Sequence, residues 1–354
     1  MTAADVWDIS TPAGERHGKG VDLVEQRPAV VPGGSFIFDE GQPVPAKWGH
    51  DDAPLWAEGE SLVITGPTGV GKSTLAQRVV LAQLGMAEAS VLGLPVAPLD
   101  GRVLYIAADR PRQIARSFRC MVAEHQRTAL DDRLVIRQGP LPFDVVKEPW
   151  RLSVFAQQHG SSQVVVDSLK DIAMQLSSDE TGGAVNQAFQ HCLAAGVDVL
   201  CLHHNRKGTA ENPRPKALAD VYGSAWLASG AGSVVALWAP EAGSPMVDVL
   251  HLKQPAREVG PLRALVDITA GTFTVTETVD LLAMLRGAPR GITATTAAVA
   301  IYGTPEPSRS NREKARRQLE ALRRGGYASK DEGEPRPGGG TPESIYYATT
   351  EAAA

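Results

Sequence analysis

Nine consecutive residues, Gly66-Pro67-Thr68-Gly69-Val70-Gly71-Lys72-Ser73-Thr74, constrain the fold of this 354-residue chain more than any other feature. They match the pattern G-x-x-x-x-G-K-[ST] in full. An apolar run, Leu62-Val63-Ile64-Thr65, precedes them. A helical period from Lys72 to Leu84 follows, with Leu75, Val79, Val80 and Ala82 inward. Gly66, Gly69 and Gly71 let backbone N–H groups turn onto phosphate oxygens. The helix opening near Lys72 adds its positive N-terminal end. On this reading all nine residues cradle the phosphates of ATP. Lys72 bridges the β- and γ-phosphates, and Ser73 offers its hydroxyl to Mg²⁺. The bland alternative is a Gly-rich turn that binds nothing.

Such a loop needs an acid on the metal side. Val164-Val165-Val166-Asp167 supplies one, an apolar strand ending in a carboxylate. In a parallel sheet, ligands bind at the carboxyl ends of the strands, so Asp167 falls beside the loop and holds Mg²⁺ through water. The alternative is an Asp that caps the following turn. Further strands are expected at 103–106, 134–136 and 197–202. Helices are expected from Pro111 to His125, Glu148 to Gln158 and Ala184 to Ala195, with Gly196 as the C′ residue. This alternation predicts an α/β fold with a mainly parallel sheet. Strand-like runs at 233–238, 246–252, 264–268 and 272–276 lack intervening helices and predict an antiparallel extension.

Composition narrows the class. Hydrophobic residues make up 43% and charged residues 21%, as in a soluble globular protein. The three cysteines, Cys120, Cys192 and Cys201, suit neither a disulfide framework nor a zinc site. The first residues lack the basic and apolar regions of a signal peptide, so a cytoplasmic protein with no membrane partner is expected. The net charge of −5 hides an asymmetry. Residues 1–60 hold 11 acids and 4 bases, whereas residues 301–330 hold 8 bases and 3 acids.

Residues 1–45, polar and without a period, are expected to be an acidic, poorly ordered tail. From residue 278 the pattern changes to short helices at 281–286, 293–302 and 309–324, then Gly338-Gly339-Gly340 and Tyr346-Tyr347. Three helices and a Gly-tipped hairpin predict a winged helix over residues 278–354. In the third helix, Ser310 to Glu313 reads as a capping box and Gly325 as the C′ residue. Ala315, Leu319 and Leu322 form an inward stripe. Arg309, Arg312, Arg316 and Arg323 form a neighbouring basic face, suited to duplex DNA in a major groove or simply to solvent.

The location of the water-activating acid points to a family. Asp167 is followed by Ser168 rather than Glu, so the acid is expected at the end of the strand after the P-loop helix. That segment is Tyr105-Ile106-Ala107-Ala108-Asp109-Arg110-Pro111. It resembles the strand end of hexameric replicative helicases of the RepA type, a branch of the RecA-like P-loop ATPases. Those usually have Glu where this chain has Asp109, which would also serve as a helix cap. Leu202-His203-His204-Asn205-Arg206-Lys207-Gly208 is similar to the family's γ-phosphate-sensing motif; an inert loop or a metal site are the alternatives. Lys207, Arg214 and Lys216 lie in a stretch that suits passage of single-stranded DNA or a solvated loop. Lys253 and Arg257 match the family's basic finger, which reaches the ATP of a neighbouring subunit; two surface cations are the alternative. The resemblance covers roughly residues 46–277. It implies a RecA-like ATPase core, ATP and Mg²⁺ as cofactors, and a hexamer or similar ring. It also implies single-stranded DNA in the channel and a primase or initiator as partner. The expected activity is that of a DNA helicase or translocase of a replication module. The alternatives are an ATP-switched DNA-binding initiator or regulator and a RecA-like recombination or repair ATPase.

Overall fold

The computed structural model describes residues 32–39, 45–206, 214–239, 243–277, 281–324, 326–332 and 342–349. Most of the expected N-terminal tail, Lys207, Gly325 and the Gly338-Gly339-Gly340 run lie outside the described residues.

Helix α1 (Gly33–Asp39) precedes a hairpin of β1 (Ala46–His50) and β2 (Ala53–Ala57). Then follow β3 (Ser61–Thr65), α2 (Lys72–Gln83), and the short pair β4 (Ser90–Val91) and β5 (Leu94–Pro95). The next elements are β6 (Arg102–Ala107), α3 (Pro111–Arg119), α4 (Arg127–Arg133), β7 (Leu134–Gln138) and α5 (Arg151–Gln158). After them come β8 (Ser161–Asp167), α6 (Leu169–Ile172), α7 (Asp179–Ala194), β9 (Asp198–Leu202) and α8 (Ala225–Gly230). Strands β10 (Ser233–Trp238), β11 (Met246–Lys253), β12 (Leu262–Asp267) and β13 (Thr272–Glu277) complete the main sheet. The C-terminal elements are α9 (Leu281–Arg286), β14 (Ile292–Thr293), α10 (Ala294–Tyr302), α11 (Arg309–Arg324), β15 (Ala328–Asp331) and β16 (Ile345–Ala348).

The main sheet has nine strands in the order β13-β12-β11-β10-β3-β9-β8-β6-β7. Strands β10, β3, β9, β8, β6 and β7 run parallel; β11, β12 and β13 add antiparallel. The central strands are apolar along their length because helices cover both faces. Leu62 and Ile64 face the cluster containing Leu75 and Val79 of α2, while Val63 faces the cluster of α5 and α7. The P-loop strand β3 therefore lies mid-sheet, with its carboxyl end flanked by β9 and β10.

The C-terminal elements build a separate apolar cluster from Leu285, Ile301, Ala315, Leu319 and Tyr346. Their sheet is antiparallel, in the order β14-β16-β15. No helix among the described residues is long and apolar enough to cross a membrane.

Several boundaries differ from expectation for local reasons. Helix α3 ends at Arg119 rather than running to His125, and the Gln126 side chain then accepts the Ala123 N–H at 2.9 Å. Helix α7 begins at Asp179 instead of Ala184, since Ser178 accepts the Thr181 N–H and two acids occupy the first turn. Gly182 belongs inside that helix because a Cβ there would stand 2.7 Å from the Ser224 side chain. In α11 the N-terminal acceptor is Ser308, whose hydroxyl takes the Asn311 N–H at 3.1 Å. Ser310 is not the cap: Glu313 of the expected box is engaged by Arg316 and Arg317.

Candidate nucleotide site

The loop from Gly66 to Gly71 joins β3 to α2, and Pro67, Thr68 and Gly69 are exposed at its tip. Gly71 has φ +96°, in the left-handed region that favours glycine. At Gly66 a Cβ would stand 2.6 Å from the Leu237 carbonyl of β10, so only glycine fits. The Lys72 ammonium donates to the carbonyls of Gly66 (2.8 Å) and Pro67 (2.7 Å). It is thus folded over its own loop. Burial lowers its pKa to about 8, against the opposing charge of Asp167.

Asp167 ends β8 and is buried. Its carboxylate accepts the Tyr105 hydroxyl at 2.7 Å and is hydrogen-bonded by the Ser73 side chain. Burial raises its pKa; those two bonds and the Lys72 charge oppose the rise. A buried carboxylate touching the P-loop hydroxyl, with one lysine beside it, is a donor set that fits a hard divalent cation. ATP and Mg²⁺ therefore fit the residues present: the loop and Lys72 toward phosphate, Ser73 and Asp167 toward the metal. No group of three or more His, Cys, Asp or Glu side chains suited to a metal occurs among the described residues.

Two partners of this centre carry no sequence signature. Tyr105 comes from β6, where it pairs with Val165 while Ala107 pairs with Asp167. Thr65 donates its hydroxyl to the Asn205 side-chain oxygen at 2.7 Å, tying the end of β3 to the strand end after β9.

The end of β6 is joined to Asp167, whose carbonyl accepts the Ala108 N–H at 3.0 Å. Asp109 follows. Its side chain is 42% exposed and lies 3.5 Å from the Arg110 guanidinium. It is not the cap of α3; Arg110 occupies that position at φ +50°, with no side-chain cap bond.

The histidine pair lies beside the loop. The His203 N–H donates to the Ile64 carbonyl at 2.9 Å. Its ring Nε2 donates to the Tyr222 carbonyl at 2.7 Å. Burial holds the ring neutral, its pKa lowered to about 4. His204 makes a hydrogen bond with the Gly66 backbone, and its pKa is lowered by burial and then by Lys72. The Tyr222 N–H donates to the His204 carbonyl at 3.0 Å, and the Arg206 guanidinium donates to the Gly223 carbonyl at 3.0 Å. Together these bonds close the foot of the segment between Arg206 and Asp220.

The remaining candidate residues are dispersed. Arg214 is not available as a loop cation: it pairs with Asp248 at 3.1 Å with its side chain 14% exposed, and donates to the Tyr302 carbonyl at the end of α10. Asp248 also accepts from Arg263 at 2.8 Å, a buried network that explains the reassignment. The Lys216 N–H donates to the Asp220 side chain at 2.7 Å. The Lys253 ammonium donates to the carbonyls of Ser229 (2.6 Å) and Ala231 (2.5 Å) at the end of α8. Arg257 is exposed and lies 3.2 Å from Asp52. On α11, Arg309, Arg312, Arg316 and Arg323 are all exposed, while Ala315 and Leu319 are buried. Arg316 pairs with Glu313 and Arg323 with Glu320, each at 2.8 Å.

Among solved structures, the ATPase domain of a helicase aligns with a TM-score of 0.45 and 12% identity, covering 63% of this chain and 87% of that one. A KaiC-like protein from the hyperthermophilic archaeon Pyrococcus horikoshii OT3 aligns with a TM-score of 0.44 and 16% identity, covering 62% and 91%. No curated protein matches the chain. The AAA domain family AAA_25 matches residues 25–210, more than half of the chain and all of the P-loop, Asp109, Asp167 and the histidine pair. With that match and this phosphate site, the chain belongs to the AAA domain family, as a RecA-like P-loop ATPase.

Proposed function

We propose that the chain is an Mg²⁺-ATP-dependent motor that moves along DNA within a ring of its own copies, a helicase or translocase of a replication module. The observation that carries this reading is the run of hydrogen bonds from the P-loop to the foot of the 207–219 segment. His204 touches Gly66, Tyr222 is held by His203 and His204, and Arg206 holds Gly223. Phosphate binding takes the Lys72 donors away from the Gly66 and Pro67 carbonyls. Gly66 is the residue that His204 contacts, so the change reaches the basic segment directly. Mg²⁺, when bound, neutralises charge on the β- and γ-oxygens. Ser73 and Asp167 hold the metal side, and Asp109 orients the attacking water.

ATP sits between subunits in this reading. Lys253 or Arg257 reaches the neighbour's γ-phosphate and offsets its developing charge. For Lys253 this requires leaving the carbonyls of Ser229 and Ala231, which makes the finger an exchange of partners. Lys207 and Lys216 track single-stranded DNA. The C-terminal unit acts as a winged helix, with α11 presenting Arg309, Arg312, Arg316 and Arg323 to duplex DNA.

A second reading is an ATP-switched DNA-binding initiator or regulator. The half-exposed Asp109, paired with Arg110, favours it, because a loosely placed water-activating acid suits slow turnover. Steady-state ATPase with single-stranded or duplex DNA, together with unwinding of a forked duplex, separates the two. Strong single-strand stimulation with strand displacement supports the motor. Slow, duplex-stimulated turnover without displacement supports the switch.

A further inference from the structure

A cavity of about 500 Å³ lies away from the P-loop, between α3, α4 and strand β7. Its apolar lining includes Ile114, Phe118, Val122, Leu130, Leu134 and Ile136. Strand β7 ends the nine-stranded sheet, and Ile136 on it is 39% exposed. An open edge beside an apolar hollow is a site that folded chains normally cover. One side of the hollow is basic: α3 carries Arg112, Arg116 and Arg119 and no acid. Arg112 and Arg119 line the cavity, as do Glu124 and Asp131. Arg127, also on the lining, is paired with Glu124 at 2.7 Å.

The same chain carries a segment of complementary character. In α1, Ile37 is 62% exposed and Phe38 is 77% exposed. The next residues in sequence are Asp39 and Glu40. Two adjacent apolar side chains followed by two acids match an apolar hollow with an arginine rim. Within one copy, α1 leaves Ile37 and Phe38 uncovered while the hollow stays open.

We infer that α1 of one copy seats Ile37 and Phe38 in the α3–α4–β7 hollow of the next, the acidic charge that follows them in sequence matching Arg112 and Arg119. The two patches differ, so the association is head-to-tail. Such interfaces close into rings or grow as filaments rather than stopping at a symmetric dimer. The inference rests on the ring reading above and names the surface by which copies join.

Sedimentation velocity of the full chain with ATP and Mg²⁺ tests it. Two variants break opposite halves: Phe38→Glu spoils the helix, and Arg112→Glu with Arg119→Glu reverses the rim without touching the apolar floor. All three positions are exposed, so each variant is expected to melt like the wild type. The wild type is expected to assemble, and each variant alone to sediment as a monomer. Mixed one to one, the variants retain one intact interface per pair, so they are expected to form a dimer that grows no further. Wild-type-like assembly of either variant overturns the inference and leaves the ring reading standing; the hollow then serves an acidic segment of another protein. A mixture that stays monomeric, with both variants folded, also overturns it. A wild type that remains monomeric at every concentration overturns the ring reading together with it, while ATP binding is unaffected.

Discussion

The ring of His203 donates to the carbonyl oxygen of Tyr222 at 2.7 Å, and Tyr222 lies where the segment after Arg206 rejoins the core. The other ring nitrogen, Nδ1, is buried and has no partner. A neutral imidazole with one committed nitrogen and one idle nitrogen is well placed to respond to a change at the neighbouring P-loop. His203→Asn leaves the Tyr222 carbonyl unpaired and is expected to cost about 1–3 kcal/mol of stability. ATP binding should persist, while stimulation of hydrolysis by single-stranded DNA should be lost. Equal loss of basal and stimulated rates would mean that His203 serves only the fold.

Lys72 makes nucleotide affinity depend on pH. Its pKa in the free site is lowered to about 8 by burial. Phosphate favours the charged amine, so the bound pKa is higher, and binding takes up a proton above the free value. Affinity should therefore be flat below about pH 8 and fall about tenfold per pH unit above it. Titration calorimetry at alkaline pH in two buffers of different ionisation enthalpy measures the uptake directly. Lys72→Ala should bring ATPase activity to background with the fold retained.

Asp109 tests the position of the water-activating acid. Asp109→Asn should abolish hydrolysis while ATP still binds. Asp109→Glu should keep or raise the rate, since the added methylene extends the reach of the carboxylate. A normal turnover number for the Asn variant places the acid elsewhere.

Arg214 joins the ATPase core to the C-terminal unit, between Asp248 on β11 and the Tyr302 carbonyl on α10. Arg214→Ala leaves Asp248 buried with Arg263 and is expected to cost about 3 kcal/mol. Denaturant unfolding measures the cost. Limited proteolysis between residues 278 and 290 should become faster, because the same change frees α10 from β11.

The arginine face of α11 should act on DNA without acting on ATP. Arg312→Ala with Arg316→Ala is expected to weaken duplex binding and flatten its salt dependence by about 0.9 in slope for each phosphate no longer neutralised. ATPase activity without DNA should not change. Equal affinity and equal slope for the double variant would assign α11 to docking within the protein.

What the sequence determined by itself is local. The P-loop is read from contiguous residues, because its turn, its lysine and its helix start are neighbours in the chain. The apolar runs of β3, β6, β8 and β9 and the Asp167 carboxylate were legible for the same reason, since burial on both faces leaves an unbroken apolar signature. The stripe of Ala315 and Leu319 follows from helical period alone. Tertiary structure decided what depends on strand order and on which element lies opposite. Tyr105 meets Asp167 only because β6 pairs with β8 in that register. Arg214 reads as a loop cation until Asp248 and Tyr302, 34 and 88 residues further along, are brought to it. The start of α7 was hidden by Gly182 and Gly183; the helical place of Gly182 is set by the Ser224 side chain packed against it. Period and composition carry no information about partners remote in the chain. The interactions that tune the site, and those that join the core to the C-terminal unit, therefore appear only once the sheet is assembled.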